Sequence, residues 1–224
     1  VHLHPAILGR RVWFPDPHEA VRIGPYEGIV AVGGDLSQER LLLAYRQGIF
    51  PWTGDPLTWW SPDPRGVFEL DRFHVPHSLR RVLRQAPFRV TRDAAFPQVI
   101  RECAAPAPGR MTTWISPQFI DAYCQLHRAG HAHSVECWHE DQLAGGIYGV
   151  SLGGLFAGES MFSRASNASK VALFHLVQHL RQQGFLLFDI QVLTQVTRSL
   201  GAIAIPREEY LRRLEQAVHA DAKF

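Results

Sequence analysis

An α+β fold, with helices packed on an antiparallel meander and one later strand, is predicted from two observations. Three strand-like runs, "HSVECWHE", "LAGGIYGVSL" and "LFAGESMFS", follow one another with only the turns Glu140-Asp141-Gln142 and Gly153-Gly154 between them. Helical patterns stand before and after this meander, and a further apolar run, "FLLFDIQVL", lies beyond it.

The elements follow in chain order. "WFPDPHEA", "IGPYEGIVAVGGDLS" and "GIFPWTGDPLTWWSPDPRG" alternate turns with short apolar runs. Between them Ser37 opens a helix in which Leu41, Leu42 and Tyr45 recur at helical spacing and which Gly48 stops. "WWSPDPRG" reads as a linker, so a small N-terminal unit is placed at 1–62 and a larger one at 63–224. In the larger unit Pro76 and Ser78 open a helix with Leu79, Val82 and Leu83 on one face and Arg80, Arg81 and Arg84 on another. Asp93 is expected to cap a helix over "AAFPQVIRECA", which Pro97 shortens. "SPQFIDAYCQLHRAG" has Ser at the cap, Pro at the first helical position and Gly at the end. "NASKVALFHLVQHLRQQG" is a helix ended by Gly184, and "PREEYLRRLEQAV" a last helix opened by a proline.

The 224 residues, 46% hydrophobic and 20% charged, describe a globular chain able to bury a core. No stretch nears the run of about 18 apolar residues that a membrane span needs, and "VHLHPAILGRRVWFPDP" lacks the pattern of a secretory signal. A cytoplasmic location without a membrane partner is expected. Cys103, Cys124 and Cys137 are odd in number and form no CxxC pair, which argues against a disulfide framework. His127, His131, His133, Cys137 and His139 crowd together, but the stretch crosses Gly130 and lacks the paired spacing of a structural zinc site, so no metal is expected. There is no P-loop, dinucleotide fingerprint, GxSxG or HExxH.

Charge is informative in its distribution. The net charge is +2, yet residues 72–92 hold six arginines (Arg72, Arg80, Arg81, Arg84, Arg89, Arg92) and no acid. A local charge of +6 on a nearly neutral chain is the footprint of a polyanion; its alternative is a solvated face. Two carboxylates stand out on apolar strands. Strand alternation puts Leu155, Ala157, Glu159 and Met161 on one side of "LFAGESM", and Asp189 with Gln191 on one side of "LLFDIQV". A buried carboxylate demands a partner or shifts its pKa: either an internal cation pairs with it, or a cation arrives with a substrate. Trp52, Trp59, Trp60 and Trp114 sit beside Pro, Gly, Ser or Thr in turn-like contexts, where they serve as packing anchors or as stacking surfaces for planar groups. Acids, aromatics and a basic patch without an obvious nucleophile suit a reaction whose reactants arrive activated.

The motifs "FPDP" (14–17), "GIVAVGGDLS" (28–37), "LLLAYRQGIFPW" (41–52), "WWSPDPRGV" (59–67), "TWIS" (113–116), "GESMFSRASNASK" (158–170) and "FDIQVLTQVTRSLGAIAIPREEYL" (188–211) fall in order along the chain. Together they resemble the leucyl/phenylalanyl-tRNA–protein transferase family. The resemblance implies a larger domain of GNAT-like acyltransferase fold with the smaller N-terminal domain packed on it, using neither metal nor coenzyme A. It implies transfer of Leu or Phe, less readily Met, from leucyl-tRNA or phenylalanyl-tRNA to the α-amino group of proteins beginning with Arg or Lys, creating an N-degron. A monomer is expected.

Carried over by position, the pocket for the aminoacyl ester and terminal adenosine would involve Trp52, Trp114, Ile147, Glu159, Ser160 and Met161, with Phe156 also among the substrate-binding residues. The slot for the Leu or Phe side chain would include Leu173, Leu176, Leu180 and Phe188, and the basic helix for tRNA would be that of Arg80, Arg81 and Arg84. The catalytic positions would be Asp189 and Gln191, with Asp189 accepting a proton from the incoming amine directly or through Gln191, and Glu159 anchoring the substrate or reading its cationic group. Two other readings stay open on the residues alone. An acyl-CoA-dependent acetyltransferase should carry a phosphate-cradling glycine turn, which "FSRASN" matches poorly. A non-catalytic tRNA-binding module would leave Glu159 and Asp189 without a role.

Overall fold

A computed structural model describes residues 4–21, 24, 27–106 and 113–224 of the chain. The turn read in "IGPYEG" lies partly outside these described residues. The mixed α+β class holds, with the strands gathered into one sheet of four and one of seven.

The smaller sheet is built from β1 (Ala6–Leu8), β2 (Ile29–Gly33), β3 (Phe50–Gly54) and β4 (Leu57–Trp60), in the order β1-β2-β4-β3, with α1 (Gln38–Arg46) between β2 and β3. Ser37 caps α1, its hydroxyl accepting the Arg40 N–H, and Gly48 takes φ 74° just past the helix end. The sequence reading placed the tryptophans in turns and "WW" in a linker. Instead Trp59 and Trp60 lie in β4, an interior strand, and Trp52 lies in β3. The flanking Pro and Gly punctuate the strand ends and hide the strands between them. Trp59 is fully buried, its ring edge-on to Phe14 at 4.8 Å and its indole N–H donating to the Gly33 carbonyl.

The larger sheet has the order β11-β5-β10-β9-β8-β7-β6. Its strands are β5 (Arg65–Phe68), β6 (Arg89–Arg92), β7 (Ala132–His139), β8 (Gln142–Leu152), β9 (Leu155–Ser163), β10 (Leu187–Gln191) and β11 (Ile203–Ile205). The predicted meander is β7-β8-β9, and β10 joins it as a parallel neighbour of β9. β6 and β11, short edge strands, escaped the pattern reading. Helices cover both faces. α3 (Phe96–Ala104), α4 (Pro117–Arg128) and α7 (Arg207–Val218) share one core with α1 and the small sheet, whereas α2 (His77–Gln85) and α5 (Ala168–Gln182) close the other. A one-turn helix, α6 (Gln195–Ser199), separates β10 from β11.

Two local expectations need correction. Asp93 does not cap α3; it sits at φ 55° and its carboxylate accepts from the Ser134 N–H and pairs with His133. The backbone N–H groups of Ala94 and Ala95 are instead taken by Glu136, a fully buried carboxylate that also accepts from the Thr91 and Ser134 hydroxyls. Pro97 falls in the first turn of α3, where no N–H is needed, so it opens the helix rather than weakening it.

The second correction concerns β9. The β8–β9 register shifts between Gly149 and Tyr148, so a bulge interrupts the alternation around Glu159. Leu155 and Ala157 face the first core, but beyond the bulge Phe162 faces that core while Met161 packs on the second. Met161 therefore does not share the side of Glu159.

Candidate functional site

Glu159 sits at the β9 bulge among three donors. Its Oε1 accepts from the Tyr45 hydroxyl at 2.8 Å and from Gln191 Nε2 at 3.0 Å, and its Oε2 from the Tyr123 hydroxyl at 3.3 Å. Tyr45 comes from α1 and Tyr123 from α4, and their hydroxyls lie 2.5 Å apart. Burial pushes the Glu159 carboxyl up to about 8, with Asp189 adding to the rise, while the two tyrosine hydrogen bonds and Arg65 oppose it. Burial, and then the charge of Glu159, holds both phenols well above their ordinary range, so they remain protonated donors.

Asp189 is differently placed. Its Oδ1 accepts from Arg65 Nε at 2.9 Å and from the Gln191 backbone N–H at 2.8 Å, and its Oδ2 from Arg65 Nη2 at 2.6 Å and the Tyr210 hydroxyl at 2.9 Å. Both Asp189 and Arg65 are 1% exposed. Burial works against the Arg65 charge, but Asp189 beside it leaves the guanidinium above its ordinary value. Of the two alternatives for a carboxylate on an apolar strand, an internal cation is the one that holds for Asp189. Among the described residues, the donors to Glu159 are hydroxyls and an amide.

The Asp189 oxygen that accepts the N–H two residues on forms an Asx-turn. The Val192 N–H then returns to the Ile190 carbonyl at 2.6 Å, making a γ-turn with Gln191 at its centre and φ 57°. That hand of γ-turn is rare and strained. It tips the Gln191 amide from β10 onto Glu159. Gly66 of β5 permits the turn, since a Cβ there would meet Val192 and Leu193 backbone atoms at 3.1 Å.

Above Glu159 and Gln191 opens a cavity of about 190 Å³, walled by Phe50, Pro51, Trp52, Trp114, Ile190 and Val192. Trp52 is 37% exposed and packs edge-on to Trp60, and Trp114 packs edge-on to Phe119. Of the residues expected in the site, Trp52, Trp114, Glu159 and Gln191 meet here. Leu173, Leu176, Leu180, Phe188, Phe156 and Ile147 do not line it; they are packed in the second core, onto which Ile190 abuts. Ser160 lies partly exposed beside Glu159. Arg80, Arg81 and Arg84 project from α2 as exposed side chains apart from the cavity. Among the described residues no group of His, Cys, Asp and Glu is arranged to hold a metal ion, and no helix is long and apolar enough to cross a membrane.

Sequence reasoning missed Arg65, Tyr45, Tyr123 and Tyr210. In the sequence Tyr45 reads as part of an apolar helix face, although a buried tyrosine hydroxyl needs a partner. Arg65 stood in a presumed linker, where an arginine raises no question.

An acid and an amide at the floor of a tryptophan-walled cleft offer hydrogen-bonding groups beside flat aromatic faces. Comparison with known proteins gives the chain its family. Residues 34–63 match the family model "Leucyl/phenylalanyl-tRNA protein transferase N-terminal domain", and residues 67–215 match "Leucyl/phenylalanyl-tRNA protein transferase". A leucyl/phenylalanyl-tRNA–protein transferase of Anaeromyxobacter sp. (strain Fw109-5) is 53% identical over 94% of this chain and 89% of its own. Its counterpart in Pseudomonas syringae pv. tomato is 52% identical over 88% and 86%. Among solved structures, L-PGS from Bacillus licheniformis is similar at 15% identity with a TM-score of 0.43, covering 75% of this chain and 56% of that one. The chain belongs to the leucyl/phenylalanyl-tRNA–protein transferase family.

Proposed function

We infer that this chain is an aminoacyltransferase that moves Leu or Phe, less readily Met, from its tRNA onto the α-amino group of proteins beginning with Arg or Lys, marking them as N-degrons. The observation that carries the reading is the cavity in which Trp52, Trp114, Glu159 and Gln191 meet, in a chain of this family. A GNAT-like larger domain at 63–224 with a smaller one at 1–62, a monomeric state and a cytoplasmic location belong to the same reading.

The cavity of about 190 Å³ is smaller than a typical small-molecule site of about 300–1,000 Å³. It suits the reacting end of the substrate, with the terminal adenosine lying against Trp52 and Trp114 toward solvent. The amino acid side chain enters past Ile190, where Leu173, Leu176, Leu180 and Phe188 must part to admit it. Ile147, Ser160 and Met161 are assigned to the ester and adenosine end, and Phe156 to substrate binding.

The amine of the acceptor attacks the ester carbonyl, forming the C–N bond; the C–O bond breaks and the terminal ribose oxygen leaves with a proton. The ester is already activated, so holding the two reactants together supplies much of the rate. An α-ammonium has an ordinary pKa of about 7.7–8.0, close to the value of about 8 for Glu159. Proton exchange between them is therefore nearly balanced, and Glu159 is the group suited to take the proton. Asp189, whose four acceptor positions are filled, is assigned to hold Gln191 rather than to accept the proton itself.

The test is to offer radiolabelled leucyl-tRNA and, separately, labelled acetyl-CoA with an acceptor protein beginning with Arg. Label from the tRNA alone is expected. Label from acetyl-CoA would move the chain to the coenzyme A-dependent class, and label from neither, with tRNA bound, would leave a binding module.

A further inference from the structure

Arg65 grips both arms of the cavity. Its Nε and Nη2 hold Asp189, which holds the Gln191 N–H; its Nη1 donates to the Gly48 carbonyl at 2.9 Å. Gly48 lies in the loop from α1 into β3, two residues before the strand, and β3 carries Phe50, Pro51 and Trp52 of the opposite wall. The guanidinium lies over the Phe50 ring at 4.8 Å and the Tyr210 ring at 4.3 Å, and Nη2 also donates to the Tyr210 hydroxyl at 3.2 Å. Its planar fork is thus bound on its edges and on ring faces, with 1% exposure.

That arrangement meets a need set by Gln191. A non-glycine residue at φ 57° in a γ-turn persists only where its surroundings over-determine it. Asp189 supplies the local hold through its Asx-turn, and among the described residues Asp189 is held besides by Arg65 and Tyr210. A lysine cannot reproduce this, because it offers a single ammonium in place of the rigid fork.

We propose that Arg65 is a positioning residue of the transfer site: one buried guanidinium sets the Gln191 arm through Asp189 and the Trp52 arm through Gly48, fixing the distance between them. The inference rests on reading this cavity as the site of transfer. It makes the spacing of amide and tryptophan, on which substrate orientation depends, a property of a residue that touches no substrate.

The test reads the arms directly, in the full chain. Nitrogen–proton spectra are recorded for wild type, Arg65→Lys, and the charge-free pair Arg65→Met with Asp189→Asn, the Gln191 amide and Trp52 indole signals being assigned by their loss in Gln191→Ala and Trp52→Phe. Both signals are expected to shift in Arg65→Lys and in the double variant. The double variant keeps the test alive if the lysine form does not fold, since neutral replacement of a buried pair is commonly tolerated. In a folded variant, two unmoved signals, or a shift confined to one arm, overturns the proposal. Turnover is measured alongside. Leucine transfer is expected to fall about a hundredfold in kcat, the scale of an ångström-sized misplacement, with tRNA affinity within about twofold of wild type and rescue absent in the lysine variant. A fall confined to KM would also overturn it. Absence of transfer in the wild type would count against the function alone, because the spectra still report the arms.

Discussion

The side-chain amide of Gln191 donates to Oε1 of Glu159 at 3.0 Å, joining adjacent parallel strands at the floor of the cavity. One residue reaches the contact through a β-bulge and the other through a left-handed γ-turn. Two departures from regular strand geometry thus converge on one oxygen.

Replacing Glu159 by Gln keeps the shape and removes the titration. Wild-type transfer is expected to rise through pH 8, because the carboxyl ionises at about 8. In Glu159→Gln turnover should fall by about 10²–10⁴, the usual contribution of a general base, and the remaining pH dependence should be that of the acceptor amine alone. Stability carries the same signature. The folded pKa of about 8 lies above the ordinary 4.5, so the proton held by the fold stabilises fully below about pH 4.5 and that contribution is lost as pH rises through 8. Urea melts across this window should show a downward slope in wild type that Glu159→Gln flattens.

Asp189→Asn should damage the fold as well as the reaction. It leaves the buried Arg65 charge without its carboxylate, a change that costs about 3–5 kcal/mol, and loosens the clamp that holds the Asx-turn at Gln191, although the Asn oxygen can still accept the Gln191 N–H. Denaturant melts should show the loss, while tRNA affinity of the folded fraction stays near wild type and turnover drops. Unchanged turnover would remove Asp189 from the account of the site.

Arg80→Ala with Arg84→Ala should leave stability within about 0.5 kcal/mol, as both side chains are exposed on α2. If they meet phosphates, the slope of log K against log salt should shrink by about 0.7–0.9 for each. Filter binding from low to moderate salt measures it, and an unaltered slope makes them a solvated face.

The tryptophans should separate by role. Trp59→Ala empties a fully buried position in an interior strand and should cost about 3–5 kcal/mol. Trp52→Ala, at a half-exposed position on the cavity wall, should cost about 1 kcal/mol in stability. Its effect should fall on substrate KM, by about 5- to 150-fold if a base stacks there at about 1–3 kcal/mol.

Much of the frame was legible because its long elements carry clean periodicity: the β7-β8-β9 meander, the helices at Ser37, Ser116 and Ala168, and the two acids on apolar strands. What was not legible depends on contacts between distant residues. Trp59 looked like linker because only pairing with β2 and β3 makes it a strand. Met161 was put beside Glu159 because strict alternation cannot foresee a bulge. Arg65 and Asp189 stand 124 positions apart, so their pairing leaves no local trace. Asp93 looked like a cap because sequence shows the residue type but not that Glu136, from β7, already serves those N–H groups.

The central claim is that an α-amine attacks an aminoacyl ester in this cavity. It is tested most directly by transfer of radiolabelled leucine from leucyl-tRNA to a protein beginning with Arg, beside an N-terminally acetylated copy of that protein. Label on the free-amine protein alone is predicted. Label on neither, with tRNA still bound, or equal label on both, would contradict it.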